Sequence, residues 1–469
     1  MLSDETVPLI PGAIPVLGHL GRLGADPVGF LEALRAHGPV VRILLGRRTA
    51  YVVNSPVLVR QMLVSGRSEY DKGGPWMSAA VQMLGEGLAT CGNGRHRTRR
   101  PLLQPAFHHG RMPGYVESMA ACASEQADGW AAGQTIDVQE EMTRLATASL
   151  TRSLFRDPVS HRIVRQFQRD LPLLLDGLAP RVLVPAAARL PLPVNRRFDA
   201  AMARTAAAIA EMSRHRRAGH RGEEGYDDLL TLLLAAAPSA AGTRTDREVQ
   251  DDVLTFMAGG IETVSAVISW ALHSLATHPV HYRRVQDELD RVLGGAAPSY
   301  QDLARLPELQ RLLTEVLRLW PPSWLLSRTT LTETELGGHR LPRGADLVYS
   351  PSALHRDPEV FPDPDRFDPD RWRAERVGRA QRDAYIPFGA GARKCIGDAF
   401  GLAEATVALA VVLQRWRIRA VPGARVRPRI RLTQSPVGVR LLLQERPVPN
   451  GPAGVGTGSV EPGVRGGRL

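Results

Sequence analysis

Phe388-Gly389-Ala390-Gly391-Ala392-Arg393-Lys394-Cys395-Ile396-Gly397, followed by an alanine-rich stretch from Ala399 to Leu413, is the segment that decides this fold. Its glycines let the backbone approach a flat object closely and aim several amides at one sulfur. A helix opening just after Cys395 sets its positive end beside that sulfur and favours the thiolate over the thiol. A metal bound there would deprotonate the sulfur outright. The alternative for any single cysteine is a buried structural thiol beside a glycine turn.

The complete pattern, Phe-x-x-Gly-x-Arg-x-Cys-x-Gly from Phe388 to Gly397, decides between the two. It resembles the haem-ligand loop of the cytochromes P-450. The resemblance runs from about Pro8 to Arg446 and implies one mainly α-helical domain with small β-sheets over residues 1–446. It also implies haem b, with Cys395 on the iron and Phe388 and Gly397 beside the cofactor. Residues 447–469 are Gly, Pro, Val and Arg without apolar periodicity, and are expected to form a disordered tail.

Composition agrees with this picture. The chain has 469 residues, 43% of them hydrophobic, enough for a sizeable core. With only Cys91, Cys122 and Cys395, no disulfide framework is implied, and a reducing compartment, the cytoplasm, fits. The net charge is +11, carried almost wholly by arginine, because Lys72 and Lys394 are the only lysines. No zinc finger, RNA-binding signature or basic tail accompanies that charge, so nucleic acid is not an expected partner. The N-terminal apolar piece, Val7 to Leu17, is about half the length a membrane span needs and is broken by Pro8, Pro11 and Pro15. A soluble, bacterial-type member without a transmembrane segment is expected. No internal repeat or interdomain linker appears, and Pro238 to Thr245 reads as a surface connection. Strands are expected at Val40 to Leu45, Ala50 to Val53, Asp346 to Tyr349 and Val437 to Leu443.

Thr245-Asp246-Arg247-Glu248 is a capping box and His278-Pro279 a stop, so one long helix is predicted between them. Within it Gly259 and Gly260 are costly, at about 1 kcal/mol each relative to alanine. Glu262 and Thr263 follow in an otherwise apolar stretch. A kink with a capped polar pair is the plain alternative. The segment resembles the family's oxygen-activation motif, which implies that Thr263 hydrogen-bonds the oxygen intermediate and Glu262 relays protons. Val264 separates Thr263 from Ser265.

Glu315-Val316-Leu317-Arg318 lies in an apolar helix, so its charged pair is expected to be buried and to need further partners. It resembles the family's Glu-x-x-Arg motif, and Arg371 in Phe367-Asp368-Pro369-Asp370-Arg371-Trp372 should complete a structural network. His96 and Arg100, four apart on one helix face, together with Arg328 and Arg393, match the positions that hold the two haem propionates. The turn Cys91-Gly92-Asn93-Gly94 departs from the usual acidic-glycine pattern.

Family pocket regions map onto Trp76, Met77 and Met83, then Leu171, Leu173 to Leu175, Leu178, Val182 and Leu183. They continue with Ala258 and Val264, then Trp324, Leu325 and Leu326, and finally Ser435 to Val437. Almost none is charged, so an apolar substrate held by shape is implied. The reading is a monomeric haem-thiolate monooxygenase using O2 and oxidising a terpenoid of secondary metabolism. Macrolide, polyketide or fatty acyl substrates are the alternatives, with a peroxygenase, a haem isomerase or a non-catalytic haem protein further off. No flavin or iron–sulfur motif is present, so electrons should come from a separate ferredoxin and ferredoxin reductase. Arg376, Arg379, Arg382, Arg393 and Lys394 are the candidate docking cations.

Overall fold

The computed structural model describes residues 7–156, 158–178, 181, 188, 190–219, 228–235 and 245–446. The expected tail, Val182 and Leu183 lie outside these residues. The longer helices are α1 (Gly74–Leu84), α2 (Asn93–Leu103), α3 (Met112–Asp128), α4 (Val138–Leu154), α5 (Pro158–Asp176), α6 (Pro193–Gly219), α7 (Asp246–Thr277), α8 (Pro279–Leu293), α9 (Pro307–Leu319) and α10 (Asp398–Arg415). The strands are β1 (Val40–Leu45), β2 (Arg48–Val53), β3 (Tyr70–Asp71), β4 (Thr135–Asp137), β5 (Leu326–Thr330), β6 (Thr334–Leu336), β7 (His339–Leu341), β8 (Asp346–Tyr349), β9 (Trp416–Ala420), β10 (Arg427–Ile430), β11 (Gln434–Val437) and β12 (Arg440–Glu445).

Helix α7 is the axis of the molecule. Its 32 residues span about 48 Å. The capping box forms: Thr245 Oγ1 accepts from Glu248 N at 3.3 Å, and Glu248 Oε2 accepts from Thr245 N at 3.1 Å. α7 packs against α4, α9 and α10, and α3 lies on both α4 and α10. Among the described residues it is the helix long and apolar enough to cross a membrane, yet most of it is buried inside the fold. Its hydrophobicity is that of a core helix.

The larger sheet has the order β1-β2-β8-β5-β3, antiparallel except for the β2–β8 pair. Alternation splits its strands between two cores. Val41, Ile43 and Val52 face Phe30 and Leu31, while Val40, Tyr51 and Val53 face Met62 and Leu63. Smaller sheets pair β4-β12-β9, β10-β11 and β6-β7. The strand read as Val437 to Leu443 is two strands. Gly438 turns the chain at φ +81°, where a side chain would strike Arg425 O, so β11 ends and β12 starts on a new line.

Candidate active site

Cys395 stands where the cysteine loop meets α10. Its N–H donates to Phe388 O at 2.9 Å, closing the loop. Gly391 has φ +67°, and a Cβ there would overlap Leu63 O, so the loop lies flush against the backbone at Leu63 and Val64. Gly389, at φ +69°, would meet nothing within 4 Å, and this side of the loop is open. Phe388 and Gly397 are half-buried, with Gly397 facing Phe107. Cys91 and Cys122 are buried, whereas Cys395 is exposed. Packing of protein around it pushes the Cys395 thiol up. The Gly397 N–H, and the Arg100 and Lys394 charges, act the other way.

The two glycines of α7 do different jobs. A Cβ at Gly260 would overlap Leu150 Cδ1, so this glycine lets α4 approach closely. At Gly259 a Cβ would meet nothing within 4 Å, although the residue lies in the middle of a core helix. Thr263, one turn on, donates to Gly259 O at 2.6 Å. Glu262 points elsewhere: it is buried, its Oε2 has no hydrogen-bond partner, and burial pushes its carboxyl up to about 7. The Thr433 hydroxyl and the Arg431 charge oppose that shift. Ser265, behind Val264, is turned to Glu262 O and Gln139.

The four expected carboxylate donors come from three elements, α2, β5 and the cysteine loop. His96 and Arg100 share α2, with His96 buried and Arg100 donating to Lys394 O at 2.5 Å. Arg328 on β5 is buried with its guanidinium 5.8 Å from the Tyr349 ring. Arg393 turns inward, to Asp71 at 3.1 Å, Asn93 Oδ1 at 3.0 Å and Cys91 O at 2.8 Å, and its Nη1 is buried with no partner. Arg393 is therefore turned inward, unlike the exposed docking candidates Arg376, Arg379 and Lys394 with which the sequence groups it. Burial and the charges of Arg393, Arg100 and Lys72 push His96 down to about 3. An exposed sulfur, an open helix position at Gly259 and a set of donors in which Arg100, Arg328 and Arg393 are charged and His96 is neutral suit a flat, iron-bearing group with two carboxylates. The donor set fits haem.

The scaffold network is complete. Arg318 grips Glu315 through both Nε (2.9 Å) and Nη2 (2.8 Å), with both residues fully buried. Arg371 Nε adds a third bond to Glu315 at 3.0 Å and Trp372 Nε1 a fourth at 2.8 Å. Sequence reading missed several participants. His355 is buried, accepts from Ile386 N at 2.9 Å through Nε2, and faces Arg318 O through Nδ1. Asp71 and Asn93 hold Arg393, and Asn93 occupies the turn whose departure from the acidic pattern was the only signal. Lys72 lies beside them. Glu404 on α10 is buried, and burial pushes its carboxyl up to about 8 against the lowering effect of the Ser149 hydroxyl.

The pocket residues divide. Ala258 and Val264 are buried on α7, and Val264 Cγ2 would lie 3.5 Å from a Cβ at Gly401 on α10. Trp324 and Leu325 belong to the sheet core, where Trp324 meets the half-buried Trp76 edge-on at 5.6 Å. Met77 and Val437 are half-buried, as is Leu326, which packs on the other sheet core. Leu171, Leu174, Leu175 and Leu178 are buried in the helical core, and Leu173 packs against it.

A helical core, an exposed thiol on a glycine-rich loop and a group of inward-turned basic residues have the make-up of a haem-thiolate oxygenase. Comparison with known proteins agrees. Residues 8–445 match the cytochrome P450 family model. The chain is 42% identical over 439 residues to cyclooctatin synthase of Streptomyces melanosporofaciens, covering 93% of this chain and 95% of that protein. It is 40% identical over 415 residues to cyclooctat-9-en-7-ol 5-monooxygenase of the same organism, covering 88% and 90%. Identity to pentalenene oxygenase of Streptomyces avermitilis is 38% over 419 residues, covering 89% and 92%. Among solved structures, the cytochrome P450DA heme domain superposes with a TM-score of 0.82 at 29% identity, covering 94% of this chain and 98% of that one. The chain belongs to the cytochrome P450 family. It is a monooxygenase whose haem iron takes a cysteine thiolate.

Proposed function

We propose that this enzyme hydroxylates or further oxidises a terpenoid hydrocarbon, with Cys395 as the iron ligand. The observation that carries the assignment of the site is the exposed Cys395 sulfur beside the open face of Gly389, with the other two cysteines buried in the core. Bound haem supplies oxygen activation, promoted by electron density from the thiolate. The protein's part is to hold, exclude and deliver protons. Arg328, Arg393, His96 and Arg100 hold the carboxylates. Gly259 leaves room beside Thr263, whose hydroxyl is positioned by its own helix. Glu262, at about 7, sits near the ambient pH at which a carboxyl both accepts and donates readily. Thr433 and Arg431, on the turn between β10 and β11, are the polar groups beside its carboxyl.

The substrate class rests on two supports. The relatives' names point to terpenoid oxidation, and the pocket candidates are almost free of charge. Burying an unpaired carboxylate among them costs several kcal/mol, while each buried CH₂ returns about 0.8 kcal/mol. Residues 1–446 act as one haem domain, monomeric, with 447–469 as a tail. Electrons arrive from a ferredoxin and its reductase. On the docking side Arg376, Arg379 and Lys394 are exposed, paired with Asp368, Asp383 and Asp398. Titration with a terpene hydrocarbon and a fatty acid of similar carbon number tests the substrate. The hydrocarbon should shift the iron to high spin and yield product; a response to the acid alone would overturn the terpenoid reading.

A further inference from the structure

At the corner where α7 ends and α8 begins, a cleft of about 610 Å³ opens that shares no lining residue with the haem site. Its size is within the range of about 300–1,000 Å³ usual for small-molecule sites. One side of it is aromatic. Trp320 and Phe367 line it with their rings 6.4 Å apart and 27° from parallel, and Trp270 backs Trp320 in a flat stack at 4.4 Å. His278 lies against Phe367 at 4.7 Å, and Val280, 50% exposed, adds apolar surface.

The other side offers donors. Arg366 is exposed, and among the described residues no carboxylate pairs with its guanidinium; neighbouring Asp365 is engaged by Arg356 at 3.2 Å. At the end of α7 the His273 and Ser274 carbonyls are already taken, by Thr277 Oγ1 at 2.9 Å and His278 Nδ1 at 2.8 Å. The first turn of α8 has no side-chain cap, so its positive end adds to the Arg366 charge. Burial pushes His273 and His281 below the usual imidazole range, which leaves each ring neutral at pH 7 with one donor and one acceptor nitrogen.

We propose that this cleft binds a small aromatic carboxylate, its ring against Trp320 and Phe367 and its carboxylate at Arg366. A flat ring gains from aromatic walls beyond the area it buries. A guanidinium fork matches the two oxygens of a carboxylate. The site is separate from the haem pocket and does not depend on the terpenoid reading. Arg366 O accepts from Arg318 and Arg371 at 3.1 Å each, so the backbone here is fixed by the buried ion network, and a change of the Arg366 side chain leaves those bonds in place.

The test is calorimetric titration of the ferric holoenzyme with 2-naphthoate, the haem pocket being filled beforehand with 4-phenylimidazole. One site is expected. Arg366→Gln should weaken it roughly tenfold, and neutral 2-naphthylmethanol should bind wild type more weakly by a similar factor. Decahydro-2-naphthoate, which keeps the charge and the skeleton but has no aromatic face, should lose at least about threefold. Absence of a site once the azole is bound would overturn the proposal. So would an affinity of Arg366→Gln within twofold of wild type, or equal affinity for the saturated acid.

Discussion

Glu315 and Arg371 meet at 3.0 Å, 56 residues apart in sequence, and their contact connects helix α9 to the segment leading into the cysteine loop. Arg318 shares the same carboxylate, and its carbonyl faces His355, which in turn receives the Ile386 N–H two residues before Phe388. The position of the thiolate loop is therefore set by a buried ion network whose nearest charge is outside the loop itself.

Glu315→Gln removes the carboxylate that both guanidiniums share and leaves Arg318 uncompensated in the core. A loss of about 3–5 kcal/mol is expected, as for other broken buried pairs. Chemical denaturation should show it, together with a larger fraction of haem-free protein. A midpoint equal to wild type would mean that the carbonyls around Arg318 suffice to hold it.

Thr263→Ala removes a hydroxyl whose hydrogen bond goes to its own helix, so the fold should be nearly unaffected. Substrate should still bind, while reducing equivalents are diverted to hydrogen peroxide. Product formed per nicotinamide consumed should fall several-fold. Unchanged coupling would place proton delivery on another path.

Glu404 gives a pH signature. Its folded value, about 8, stands above the ordinary 4.5, so the folded state holds a proton that the unfolded state releases between these values. Its contribution is fully present below about pH 4.5 and is lost as pH rises through about 8. Glu404→Gln should therefore gain thermal stability over wild type as pH is raised from 6 to 9. A difference in melting temperature that stays flat across that range would contradict a buried, neutral carboxyl.

Local patterns made most of this site legible. The cysteine loop, the capping box of α7, the Glu-x-x-Arg turn and three strands are short-range features, and each forms as read. The β11–β12 break was missed because a single Gly438 at positive φ reverses what looks like one apolar run. His355 and Asp71 carry no local signal, and Asn93 only its unusual turn, for a different reason. Each acts through a partner dozens to hundreds of residues away, and nothing beside them in sequence marks that partner. In sequence Arg393 has two roles, a carboxylate donor by its motif position and a docking cation by its basic neighbours, and Asp71 draws it inward.

The central claim is that Cys395 is the thiolate on the haem iron, and the spectrum of the reduced carbon-monoxide complex tests it most directly. Wild type, Cys91→Ala and Cys122→Ala should all show the strongly red-shifted band of thiolate ligation, and Cys395→His should lose that band together with activity. A Cys395→His protein that keeps the band would contradict the assignment and move the ligand to Cys91 or Cys122.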